Sequence, residues 1–523
     1  MSVEATIGEF LTGILPRLRD DRSLPSWPPD CFAVCLALLK RTGAYAKLLQ
    51  DWPPDRHASE GLAKWTTSVQ ETGNEWRDGW SSWTPNTELT TAWQRVCDSF
   101  GAALGGLSAD RALCEALFKL VVVADEASEG TGAPEDPEED DAFLRASRDA
   151  LRSRATLGDE IDPTRLRILP RMHTPQNGLT DRSLSLYLSL CEAGEVTPHW
   201  LSTPFLQHES LNLLLIPWPA EVLVSQFRDV TNAANMALPD RFGYFTYDIS
   251  NQCEDLAGCV EALYAEAKRN LGRIDGVVLP ELSLTDQQFR DLRDILPPDC
   301  FIVAGVGGAD KQGRGENEVR LSFPPMDVLR QKKHHPWKLN ESQIVQYGLG
   351  GVLTPSLDWW EYADLAERSL RFVAINQDLV ICALVCEDLA RPDPVANIVR
   401  TVGPNLVIAL LMDGPQTRER WAARYATVLA DDPGCSVLSL TSIGMARLSR
   451  PEAGPNRSNV VALWKDAFKG ATEIELPPGF AAIAVSLSVR YREEFTADGR
   501  GDDGKAAFPI LSGTHPIADP RRR

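Results

Sequence analysis

The sequence predicts a layered α/β domain preceded by a mainly α-helical N-terminal domain, and two observations predict it. From about Leu211 onward, short unbroken apolar runs alternate with amphipathic stretches, the texture of buried strands packed between helical layers. Before residue 125 the periodicity is helical instead, and seven of the fourteen tryptophans are concentrated there.

Residues 1–124 read as a helical, tryptophan-rich domain. Trp76, Trp80 and Trp83 fall at i, i+4, i+7 and form one stripe, as anchors between packed helices do. Residues 125–141 hold nine acids, no base, and Gly and Pro interruptions, so they predict a solvated linker. Residues 142–210 form a connector, with one helix from Ala142 to Ser153 and a turn-rich stretch in which His173 is a structural hydrogen-bonder. In the α/β domain, 211–492, Leu211 to Ile216 is the first strand. A helix from Asp255 to Leu271 follows, with Leu256, Val260, Leu263 and Ala267 on one face and Gly272 as its cap. Strands at Gly276–Pro280, Phe301–Val306 and Glu318–Phe323 bracket a helix near Asp286–Ile295. Further strands are predicted from Leu379 to Val385, Leu406 to Leu411, Cys435 to Thr441, Val460 to Trp464 and Phe480 to Val489, with helices at Val395–Val402 and Thr417–Ala430. Residues 493–523 read as a tail, its 499–505 stretch flexible.

Composition narrows the function. A formal charge of −20, from 53 basic against 73 acidic residues, repels phosphate backbones and argues against nucleic acid. No segment approaches the ~18 apolar residues of a membrane span, and no signal peptide opens the chain. Eleven scattered cysteines do not suggest a disulfide framework, so a reducing cytoplasm is the expectation. His334-His335 lacks metal-ligand spacing, Cys31 and Cys35 read as packing residues, and neither a metal nor a cofactor is expected.

Three strand ends carry chemistry. The run Leu379–Val385 is followed at once by Cys386, Glu387 and Asp388, which places a thiol where a buried strand meets a polar turn. Val277-Val278-Leu279-Pro280 ends in Glu281, a carboxylate among apolar neighbours. Arg330 to Pro336 is a cationic strand end in which alternation lets only one of Lys332 and Lys333 point inward. A thiol attacks a carbonyl or nitrile carbon as thiolate, so it needs a base. Glu281 suits that role and the return of the proton to the leaving amine. The Lys333 ammonium and the backbone N–H of Glu387 suit the developing oxyanion.

With those residues in view, the chain from about Leu211 to Arg492 resembles the nitrilase, or carbon–nitrogen hydrolase, superfamily. Leu279-Pro280-Glu281, Lys332-Lys333 with Pro336, and Val385-Cys386-Glu387-Asp388-Leu389 match the three family motifs in order. The resemblance implies a four-layer α-β-β-α sandwich and a Glu281–Lys333–Cys386 triad. It also implies an ordering glutamate at Glu341, eight residues past the lysine. Leu353 to Ser369, with Trp359-Trp360, is longer than the family's segment and is expected to be a lid or an oligomer contact; Ala390 and Asp393 also depart from its pattern. The implied activity is hydrolysis of a non-peptide C–N bond in a small amide or nitrile, or transfer of the acyl group or ammonia. A homo-oligomer is expected, with residues 1–124 open to a protein partner. The alternative is a non-catalytic nitrilase-like scaffold or sensor with a partner-binding helical module, of the kind found in bacterial defence proteins.

Overall fold

The computed structural model describes residues 5–50, 52, 59–82, 84–136, 141–232, 234, 239, 241–249, 255–309, 313–449 and 458–522. Two seven-stranded sheets form its centre. The first runs from edge to edge through Leu329–Lys332, Gly315–Ser322, Phe301–Ala309, Gly276–Leu284, Ser210–Leu215, Ala482–Arg492 and Ala506–Ile517. The second runs through Thr472–Glu475, Val460–Lys465, Ser436–Thr441, Leu406–Leu411, Val380–Val385, Ser369–Ala374 and Thr197–Ser202.

Side-chain alternation along the strands stacks these sheets. In the first, Leu213, Leu215, Val278, Val303, Val319 and Leu321 share a buried cluster with the strands of the second. Their neighbours Leu214, Val277, Leu279, Ile302 and Ala304 face the other way, against helices Leu256–Leu271 and Asp286–Ile295. Helix Trp421–Asp431 lays Ala422, Ala423, Ala426 and Leu429 on the second sheet. Helix, sheet, sheet and helix therefore make four layers. A small sheet, in the order Lys338–Leu339, Asp358–Glu361, Phe242–Tyr247, Phe227–Asp229, is separate from both large ones.

The helical segment is continuous with this core. Helices Pro28–Thr42 and Arg111–Glu126 are buried along most of their length, Cys31 and Cys35 included, in the cluster that also holds the second sheet. The described tryptophans are packing anchors. Trp76 is fully buried and donates to the Ser26 carbonyl at 2.7 Å; Trp27 donates to Leu157 and meets Trp80 edge-on. Trp83, the third member of the predicted stripe, lies outside the described residues.

Three stretches differ from the sequence reading. Asp125 and Glu126, assigned to the acidic linker, close helix Arg111–Glu126 and are buried. They meet Arg500, whose side chain is wholly buried although 499–505 reads as a flexible tail. Arg500 donates to Glu126 at 2.5 Å and to Asp498 at 3.0 Å, while Asp125 also accepts three backbone N–H groups from Leu186, Tyr187 and Leu188. Residues 137–140 of the linker lie outside the described residues. The predicted tail also contains the edge strand Ala506–Ile517, antiparallel to Ala482–Arg492. Its Pro509 and Pro516 read as strand breakers, but an edge strand tolerates residues that cannot donate. Within the connector, Thr197–Ser202 is a sheet strand, parallel to Ser369–Ala374.

The Arg500 cluster ties the helical segment to the C-terminal strand pair, so removing its cation leaves buried carboxylates uncompensated. Arg500→Leu is expected to cost about 3–5 kcal/mol, read by urea denaturation. Lys64→Ala, at an exposed pair with Glu60, is expected to change stability by less than about 1 kcal/mol. Equal effects would show that the cluster does not hold the two parts together.

Candidate active site

Glu281 reaches the space between the sheets through an irregularity in its strand. Leu279 pairs with Ala304, but the next pair is Leu284 with Val306, so residues 280–283 bulge out of register. Gly305 makes the bulge possible: a Cβ there would lie 2.4 Å from both the Glu281 Cα and the Pro280 carbonyl oxygen. Leu282, next to the carboxylate, takes a left-handed φ of 51°. Glu281 is 3% exposed.

Lys333 follows directly on strand Leu329–Lys332 and is 1% exposed. Its ammonium donates to Glu281 Oε1 at 2.7 Å and to Glu361 Oε2 at 2.6 Å. Neighbouring Lys332 turns the other way, to Asp364 at 2.6 Å. Around the ammonium, each carboxylate has further donors. Glu281 accepts from the Met412 backbone N–H at 2.6 Å and from Asn317 Nδ2 at 2.7 Å. Glu361 accepts from the same Asn317 Nδ2 at 2.7 Å and from the Trp337 N–H at 2.9 Å.

Glu361, and not Glu341, is the second carboxylate. Glu341 is exposed at the first turn of helix Glu341–Tyr347, where a carboxylate suits the helix dipole. Glu361 ends the small-sheet strand Asp358–Glu361, inside the segment that reads as a lid or oligomer contact. That strand is held by Trp359, 1% exposed and packed so close to Gly243 that a Cβ there would come 2.6 Å from its ring. The extra segment thus delivers a charge to the site.

Cys386 ends the central strand Val380–Val385 and opens a 3₁₀ turn, Cys386–Leu389. Its φ is +48°, a left-handed backbone that costs a non-glycine residue of order 1 kcal/mol or more. Asp388, two residues on and fully buried, anchors this turn to the lysine strand. It accepts from the backbone N–H of His334 at 3.1 Å and of His335 at 3.0 Å, and lies 3.0 Å from His334 Nδ1. Glu387, whose N–H is the candidate oxyanion donor, sits in the same turn with its side chain on Arg391 at 2.8 Å. Among the described residues no group of His, Cys, Asp and Glu has metal-binding geometry.

The groups bias one another's charge. Burial, and then the Glu281 carboxylate, push the Cys386 thiol well above its ordinary range, while Lys333 pulls it back. Burial raises Glu281 above the usual carboxylate range against the pull of Lys333. Burial acts on Glu361 too, but Lys333 and its hydrogen bonds hold that carboxyl below its usual range. Burial works against the Lys333 ammonium, yet Glu281 and Glu361 hold it well above the ordinary lysine range. Burial and the shared cation thus act in opposite senses on the two carboxyls, leaving Glu281 above the usual range and Glu361 below it. Asp413 also acts on Cys386; it is held by Arg420 at 2.6 Å, Trp421 at 2.9 Å and the Tyr347 hydroxyl.

Sequence reasoning missed Asn317, Glu361, Asp388 and the Met412 N–H. One signal was available for Asn317. It lies two residues before Val319 and four before Leu321 on one strand, so alternation puts an amide on the apolar inter-sheet face.

No protein-family model matches the chain, and no curated protein matches it. Solved structures of the nitrilase superfamily are similar to it over about 55% of its length. Saccharomyces cerevisiae Nit3, a member of branch 10 of that superfamily, is 12% identical with a TM-score of 0.34, over 55% of this chain and 93% of its own. An amidase from Nesterenkonia sp. is 13% identical with a TM-score of 0.34, over 54% and 92%. The glutamine-dependent NAD+ synthetase of Acinetobacter baumannii is 10% identical with a TM-score of 0.32, over 58% of this chain and 48% of its own.

Lys333 neutralises two buried carboxylates, so Lys333→Met is expected to destabilise the chain by about 3–5 kcal/mol in urea denaturation. Adding Glu281→Gln and Glu361→Gln to that variant removes the stranded charges and is expected to restore most of the loss. A single variant as stable as the parent would mean that the three charges do not form one unit.

Proposed function

We propose that this chain is a carbon–nitrogen hydrolase that cleaves a small amide or nitrile through a covalent adduct on Cys386. The observation that supports this reading is a buried ammonium and a buried carboxylate in contact at 2.7 Å, both acting electrostatically on a thiol that stands on a strained left-handed turn. Buried charges with no task are costly to keep, and strained backbone gathers at functional sites.

The chemistry follows from the charge distribution. Cys386 is held as a neutral thiol, so its proton must pass to Glu281 as sulfur attacks the substrate carbon. For an amide, the carbonyl π electrons move onto oxygen, where the Lys333 ammonium and the Glu387 N–H offset the charge. Collapse of this adduct breaks the C–N bond, and the departing nitrogen takes the proton from Glu281. The acyl group stays on sulfur as a thioester. Water then gives a proton to Glu281 and attacks the thioester, and sulfur leaves, taking that proton back from Glu281 as the carboxylic acid forms. A nitrile enters by the same attack, its nitrogen taking the proton from Glu281 to give a thioimidate, from which one water displaces ammonia to leave the same thioester. Glu361 holds Lys333 in place and takes no proton.

Iodoacetamide labelling of Cys386, with intact-mass detection of adducts across an amide and nitrile panel, tests the reading. Cys386 is expected to alkylate faster than the other cysteines and to carry acyl adducts. Glu281→Gln is expected to reduce turnover about 10²–10⁴-fold. Because burial places Glu281 above the ordinary carboxylate range, activity is expected to fall as pH drops through that raised value. Removing the Glu361 charge with Glu361→Gln relieves repulsion on Glu281 and is expected to move this acid limb to lower pH. A Cys386 that reacts no faster than its neighbours and never carries an adduct overturns the proposal.

A further inference from the structure

The two carboxylates at the centre of the site repel each other and share one cation, the Lys333 ammonium, at 2.7 and 2.6 Å, so a second group is needed to hold the pair. Asn317 is the other group common to both. Its Nδ2 stands 2.7 Å from Glu281 Oε1 and 2.7 Å from Glu361 Oε1. An amide nitrogen carries two hydrogens, and here one is aimed at each carboxylate. Asn317 is 2% exposed, and its Oδ1 is buried without a hydrogen-bond partner among the described residues. Its polar contacts are therefore made by the nitrogen alone, which assigns the orientation of the amide, because the reverse would set an oxygen against two carboxylates.

We propose that Asn317 is a positioning residue whose two amide hydrogens bridge Glu281 and Glu361, holding both carboxylates in place around Lys333 while Glu281 exchanges a proton with Cys386. The proposal rests on the hydrolase reading of this site. Each hydrogen bond favours the ionised form of its acceptor. On Glu361 it adds to Lys333 and the Trp337 N–H, and the carboxyl stays ionised. On Glu281 it opposes burial and limits how far proton affinity rises. The bridge also sets the separation of two carboxylates that would otherwise repel each other. Asn317 lies on strand Gly315–Ser322, Glu281 on Gly276–Leu284, and Glu361 on the small sheet. One side chain thus registers three elements at the reacting centre.

The test is the pH profile of Cys386 alkylation by iodoacetamide, followed by peptide mass spectrometry from pH 5 to 9. The parent chain, Glu281→Gln, Asn317→Ala and Asn317→Asp are compared. Asn317→Ala removes only a donor, and the acid limb is expected to move to higher pH by about one unit. Asn317→Asp sets a third carboxylate against the first two and is expected to move it further. Should Asn317→Ala fail to fold, the same comparison is made between Glu361→Gln and Asn317→Ala/Glu361→Gln, which has one fewer buried carboxylate to satisfy. An unmoved limb overturns the proposal, as does a uniform fall in rate at every pH, which is the mark of a merely structural residue. If Glu281→Gln leaves the parent profile unchanged, the hydrolase reading itself fails and takes this inference with it. An Asn317 effect that is absent while the Glu281 effect persists overturns the inference alone.

Discussion

The ammonium of Lys333, buried between Glu281 and Glu361, is the interaction around which the rest of the site is arranged. One cation cannot offset two carboxylates, so the remaining lone pairs must be met by neutral donors. The protein brings those donors from separate places: a backbone N–H after strand Leu406–Leu411, another beside Lys338–Leu339, and the Asn317 amide from a third strand. Each donor fixes a strand end relative to the lysine. Charge satisfaction in a dry interior thus becomes a geometric constraint on both large sheets and the small one. The bulge at residues 280–283 and the bare Gly305 beneath it are the local cost of bringing the first carboxylate within reach.

Cys386, the proposed nucleophile, is placed by a second constraint, linked to the first by covalent chain. Asp388 accepts the N–H groups of His334 and His335, the two residues after Lys333, and so ties the cysteine turn to the lysine segment. Beneath them, Gln331 donates to the Ala383 carbonyl at 2.8 Å and accepts the Arg371 N–H at 2.8 Å, joining the edge of one sheet to the face of the other. The left-handed φ at Cys386 is kept because the residues on either side are held: a buried strand before it and a buried aspartate after it.

Strand ends were the legible part of this site. Cys386 and Glu281 each stand where an apolar run stops, and Lys333 follows a short cationic strand, so local pattern alone separated them from the core. Glu361 could not be found that way. Its position depends on a small sheet whose strands come from residues 227–247 and 338–361, and only their pairing turns it toward Lys333. Counting eight residues from the lysine reached Glu341 instead, the exposed first residue of a helix. The layered fold was legible from alternation and helix caps, and strand Leu406–Leu411 carries the bounds that its apolar run suggests. Ala506–Ile517 was not, because its prolines and glycine speak against a strand unless one knows that it lies at an edge. Asp125, Glu126 and Arg500 were misread for a related reason: composition reports average solvation and is silent about a partner 375 residues away.

Two buried charge clusters in one chain invite the question of why one reads as a strut and the other as a reacting centre. Around Arg500 the hydrogen bonds are complete for a fixed charge. Its nitrogens meet Asp498, Glu126 and the carbonyls of Val122 and Leu184; burial works against the charge, yet Asp498, Glu126 and Asp125 hold the guanidinium above the ordinary arginine range, so it keeps its proton. That is a static arrangement joining two parts of the chain. Around Lys333 the charges are equally buried, and burial raises Glu281 just as it raises Asp125 and Glu126 beside Arg500; the difference is Cys386, whose ionised form burial and Glu281 disfavour. Neither burial nor ion pairing distinguishes the two clusters. What does is a thiol on a strained left-handed backbone within the field of Glu281 and Lys333, a group absent from the described partners of Arg500. A cluster serving stability alone has no use for such a thiol, and the covalent cycle proposed for Cys386 depends on one.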